Sequence, residues 1–110
     1  MRFFDRDGSV FVDGSYLIKG VAGRILRSLL AAHLDENRVD FTNRELRLDP
    51  SLELPEFRAN LESRLILLKR RLDEGSTPIR IEKTGRGRLR LHLSGAVRLE
   101  VVGEDDPEGD

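Results

Sequence analysis

The sequence predicts an α+β fold, with a small β-meander first, three helices next and a β-hairpin near the end. Three observations carry this expectation. Short apolar runs separated by Asp-Gly turns open the chain. Apolar residues at helical spacing fill its middle. The period then drops to two from Ile79 onward, where apolar and charged residues alternate.

The elements follow in order. Arg2 to Asp5 and Ser9 to Val12 are strand-like, joined at Asp7-Gly8, and a second turn at Asp13-Gly14 leads into Tyr16-Leu17-Ile18. Val21, Ile25, Leu29 and Leu30 then place a first helix at about 20–34. Thr42-Asn43-Arg44-Glu45 reads as a capping box, because Thr42 accepts from the third helical N–H and Glu45 reaches back. Phe41 before it and Leu46 within it suit a hydrophobic staple. The helix that follows is short, about 43–48, because Asp49-Pro50 stops it. Pro55 is a good first-turn residue for a third helix at about 55–74, whose stripe is Leu54, Phe57, Leu61, Leu65, Leu68 and Leu72 and whose stop is Gly75-Ser76. Ile79 and Ile81, then Leu89, Leu91 and Leu93, mark two strands around the turn Thr84-Gly85-Arg86-Gly87. Val97, Leu99 and Val101 predict a further strand. We read 1–102 as one domain and 103–110 as an acidic, disordered tail without an apolar residue.

Charge is unevenly placed. The net charge is −1, yet Gly103 to Asp110 hold five acids and no base, so the rest of the chain stands at +4. Between Arg64 and Leu93 nine bases face three acids. A basic body with an acidic end suits an anionic partner, and a well-solvated surface accounts for it equally well. The chain has no cysteine, which excludes a disulfide framework and a thiolate metal site. No apolar run approaches the roughly 20 residues that span a bilayer, and Met1 to Asp7 lack the pattern of a signal peptide. A cytoplasmic protein without a membrane partner is therefore expected.

The order of elements, and above all Ile81-Glu82-Lys83-Thr84-Gly85-Arg86-Gly87-Arg88-Leu89-Arg90-Leu91, resembles the winged helix-turn-helix DNA-binding domain of the bacterial OmpR/PhoB-type response regulators. That stretch looks like the family's wing, Asn60 to Leu72 like its recognition helix, and Phe41 to Leu46 like the start of its second helix. The resemblance covers roughly residues 9 to 93. It implies double-stranded DNA as partner, with the third helix in the major groove and the wing on the backbone. Arg58, Asn60, Arg64, Lys69 and Arg71 on the helix and Lys83, Arg86 and Arg88 on the wing are the expected contacts. Arg86 and Arg88 flank a glycine at a hairpin tip, where a guanidinium can approach phosphate. The plainer alternative is that Gly85 and Gly87 only relieve positive φ and the arginines are solvated.

The sequence departs from that pattern in the third helix. Leu65, Ile66, Leu67 and Leu68 are four apolar residues in a row, and four in a row sweep nearly a full turn. Either the helix is buried on two sides or Ile66 and Leu67 form part of a protein or homodimer interface. His33 and His92, the only histidines, have no spacing that links them into a metal site. There is no nucleophile elbow, P-loop or phosphate-cradling glycine motif, so no enzyme, cofactor or small-molecule substrate is expected. Two functions remain open. One is sequence-specific DNA binding by a transcriptional regulator, and the other is a winged helix used as a protein-interaction or dimerisation module.

Overall fold

A computed structural model describes residues 1–52, 61–75 and 77–103. They form an α+β domain with three α-helices and two sheets among the described residues. The expected start of the third helix, including Arg58 and Asn60, and the acidic segment 104–110 lie outside the described residues.

The first sheet begins as the expected meander, β1 (Arg2–Phe4), β2 (Ser9–Val12) and β3 (Ser15–Ile18), all antiparallel. Asp13 and Gly14 both take positive φ, 52° and 81°, as a tight two-residue hairpin turn requires. α1 (Gly20–Glu36) follows and turns Ala22, Ile25, Leu26, Leu29 and Leu30 into the core. Its start sits close on the β1–β2 turn, where a Cβ at Gly23 would overlap the carbonyl oxygen of Gly8. The helix runs two residues past the expected end and stops at Asn37, whose left-handed φ of 59° lets its N–H reach the His33 carbonyl at 2.8 Å.

The second sheet contains β4 (Asp40–Thr42), which the periodicity did not reveal, together with β5 (Ile79–Gly85) and β6 (Arg88–Leu93). Its order is β4-β6-β5, so the strand between α1 and α2 (Asn43–Arg47) pairs with the returning arm of the hairpin. Phe41, Ile79, Ile81, Leu89 and Leu91 face inward from its three strands. α3 (Leu61–Glu74) packs against α1, β3 and β5 through the buried Leu61, Leu68 and Leu72, with Leu65 partly buried beside them.

The expected third C-terminal strand is corrected. Only Glu100–Val102 form β7, and β7 leaves the hairpin to run parallel to β1 at the edge of the first sheet. Residues 96–99 are not strand, and Val97 and Leu99 pack partly buried against the core instead. The backbone of Met1 fixes the switch. Its amino group donates to the Arg98 carbonyl at 2.8 Å, and its carbonyl accepts from the Glu100 N–H at 2.9 Å. Val101 is consequently half-exposed at the sheet edge.

Candidate functional site

Exposed cations without an ion pair among the described residues, Arg44, Arg86 and Arg88, stand where α2 and the β5–β6 hairpin meet beside α3. The framework starts at the α2 cap. Thr42 Oγ1 accepts from the Glu45 N–H at 3.2 Å and Glu45 Oε2 accepts from the Thr42 N–H at 2.7 Å, the reciprocal capping box. Arg38 donates to the same Glu45 oxygen at 2.8 Å and lies over the Phe41 ring, 4.6 Å from its centroid. The β4–α2 junction is thereby held by side chains within eight residues of one another.

Asn43 then joins three elements. Its backbone N–H donates to the Gly87 carbonyl at 2.8 Å, which fastens the hairpin tip to the first residue of α2. Its buried side-chain amide donates to Glu62 Oε2 on α3 at 2.7 Å. Lys83 on β5 lies 3.7 Å from the other Glu62 oxygen. Gly87 itself takes φ 66°, a left-handed conformation that admits glycine readily. The pairing shifts register between Lys83 and Gly85, so the hairpin narrows to a two-residue tip, Arg86 and Gly87.

Beyond Lys83, the basic side chains of the hairpin fall into two groups. Toward its base, Arg90 Nε donates to Asp40 Oδ1 at 2.8 Å, His92 Nε2 lies 2.7 Å from Glu82 Oε1, and Arg80 lies 3.7 Å from Asp73. The Arg90 hydrogen bond holds the Asp40 carboxyl below its usual range and raises the Arg90 guanidinium. At the tip, Arg86 and Arg88 are exposed and make no ion pair among the described residues. Arg44, directly after Asn43, is likewise exposed and unpaired among them.

The outward face of α3 is mixed. Ile66 is 59% exposed and Leu67 42%. At about 100° per residue, Ser63 and Arg70 share the centre line of that face to within about 20°, with Ile66 on the hairpin side and Leu67 on the other. Ser63 and Arg70 are both exposed. Between α3 and the hairpin runs a groove floored by Leu65, Ile66, Ile81 and Leu89 and edged by Lys83 and Arg88.

The structure brings Ile66 on α3 beside Lys83 and Arg88 on the hairpin, whereas Leu67 lies on the far side of the outward face and Arg64, half-buried, is turned farther from the hairpin still. Two expected contacts are engaged elsewhere. Arg71 Nε donates to the Leu17 carbonyl at 2.8 Å, which ties α3 to β3, and its guanidinium lies 3.7 Å from Glu74. Lys69 donates to Asp73 one turn along at 3.1 Å. Sequence reasoning missed Asn43, Glu62, Arg44 and Arg70. Arg70 was legible as an exposed base seven residues from Ser63, but Asn43 read only as part of a cap.

Among the described residues no group of three or more His, Asp or Glu is placed to hold a metal ion, and no helix is long and apolar enough to cross a membrane. No family model, curated protein or solved structure matches this chain.

Proposed function

We propose that this chain is a double-stranded DNA-binding winged-helix module, of the kind that serves transcriptional regulators, with α3 in the major groove and the β5–β6 tip on the backbone. The observation that carries the reading is the cluster of exposed cations without carboxylate partners among the described residues, Arg44, Arg86 and Arg88, on two elements that the Asn43–Gly87 hydrogen bond holds together. Phosphate recognition needs guanidinium groups that are not already neutralised. The order α1-β4-α2-α3-β5-β6 with sheet order β4-β6-β5 supports the same reading, since it mounts the hairpin beside the outward face of α3. Two exposed acids lie on or beside that face, and both are countered, Glu74 by Arg71 and Asp73 by Lys69 and Arg80.

Fluorescence anisotropy with a labelled random-sequence duplex tests the proposal. Saturable binding at about 50 mM salt that weakens steeply by about 200 mM is the expected result, because each phosphate contact releases counterions. No binding across that range would overturn it.

The exposed Ile66 and Leu67 favour a second reading, an interaction or homodimerisation module that does not read DNA directly. Sedimentation of Ile66→Lys and Leu67→Lys separates the two. An oligomer in the wild type that either variant abolishes, at an unchanged melting temperature, supports the second reading. A monomer throughout removes its homodimerisation form.

A further inference from the structure

We infer that Ile66 and Leu67 give α3 a preference for pyrimidine 5-methyl groups in the major groove, so that the duplex this module selects is recognised partly through its thymines. The inference rests on the DNA-binding reading above and adds which chemistry the helix detects.

The two side chains have no polar atom with which to pair a base edge, and they stand on either side of the centre line of the outward face, 59% and 42% exposed. The thymine methyl is the apolar feature that the major groove presents, while the other base-edge groups there are hydrogen-bond donors and acceptors. An apolar side chain aimed at a donor or acceptor would desolvate it without replacing its water, which is unfavourable. Aimed at a methyl group, the same side chain removes apolar surface from water on both sides.

The surroundings favour DNA over a second protein as the occupant. Ser63 and Arg70 lie on the centre line between Ile66 and Leu67, so the two apolar side chains flank a polar ridge instead of forming one continuous patch. Two partly exposed side chains fall well short of the roughly 800 Å² per partner that a stable protein interface buries. Arg70 makes no ion pair among the described residues, and Arg86 and Arg88 stand unpaired on the neighbouring hairpin. That charge complements a phosphate backbone along the hairpin side of a groove.

The test uses the full chain and two pools of random-sequence duplexes, one copied with thymine and one with uracil, which lacks only the methyl. Burial of one methyl group is worth about fourfold in affinity and of two about fifteenfold. The wild type is therefore expected to bind the uracil pool fourfold to fifteenfold more weakly. Ile66→Ser with Leu67→Ser is expected to bind both pools alike while melting as the wild type does. Arg86→Ala with Arg88→Ala is expected to weaken binding to both pools and leave their ratio unchanged. Equal wild-type binding to both pools would overturn the inference and leave the DNA-binding reading standing. Binding to neither pool would overturn both. Discrimination that survives in the serine variant would assign it to other residues and would also overturn the inference. A wild-type dimer that the serine variant dissolves, without methyl discrimination, would replace the inference with a protein interface.

Discussion

Arginines occur at both ends of the β5–β6 hairpin, but their surroundings differ. Toward the base, Arg90 sits across from Asp40 in register and bonds to it at 2.8 Å, and Arg80 lies beside Asp73. At the tip, Arg86 and Arg88 have no carboxylate to match among the described residues, and the fixed contact beside them is a backbone one, Asn43 N–H to Gly87 carbonyl. The difference teaches which charges complete a surface and which are left to meet another molecule. A neutralised arginine gains little from a phosphate, because its own carboxylate must first be displaced. An unpaired one loses only water and mobile counterions.

That contrast can be broken at several levels. The largest effect is expected from the core that both ends share. Leu91→Ala removes a buried side chain beneath the base and should cost about 2–5 kcal/mol in chemical denaturation. A loss under about 1 kcal/mol would mean that the hairpin is not anchored through this strand.

Next comes the tip. Arg86→Ala with Arg88→Ala should lower duplex affinity about fiftyfold at 0.1 M salt, the consequence of two lost phosphate contacts. The denaturation midpoint should stay at the wild-type value, since both residues are exposed and unpaired. Unchanged affinity would reduce the tip to a solvated turn.

The junction that presents the tip should respond less. Thr42→Ala removes the oxygen that accepts from the Glu45 N–H and should cost about 1 kcal/mol. A wild-type denaturation midpoint would show that the cap contributes nothing.

The smallest effect belongs to the ion pair at the base. Hydrogen bonding from Arg90 lowers the Asp40 carboxyl from its ordinary 3.8. A carboxyl with a depressed folded-state value adds stability above its unfolded value and loses it as pH falls through the folded one. Asp40→Asn should therefore flatten the part of the acid-side melting curve that lies below about pH 4, with little change at neutral pH. Equal pH dependence in variant and wild type would leave the pair without a stabilising role.

How much of this was legible in the sequence follows from which interactions are local. The α1 stripe, the α3 stripe from Leu61 onward, the alternation of Ile79, Ile81, Leu89 and Leu91, and the Thr42–Glu45 box are all read within a few residues, and the structure has them. β4 is three residues long, too short for a period of two to stand out, and it exists because Arg88 to Arg90 pair with it. β7 joins β1 from the far end of the chain, and no local pattern specifies that partner. The candidate site shows the same division. Arg80, Arg86, Arg88 and Arg90 alternate along one stretch and look alike in sequence. Only the placement of Asp40 and Asp73 across from Arg90 and Arg80 separates them. Arg71 resembled a base on a recognition surface until β3 supplied the Leu17 carbonyl that it bonds.

The central claim is that the unpaired tip, and not the paired base, meets nucleic acid. The slope of log affinity against log salt measures it directly, in the wild type, in Arg86→Ala with Arg88→Ala, and in Arg80→Ala with Arg90→Ala. Two lost phosphate contacts should shrink the magnitude of the slope by about 1.8 in the tip variant, while the base variant keeps the wild-type slope. A tip variant with the full wild-type slope, or two variants with equal losses, would contradict the account.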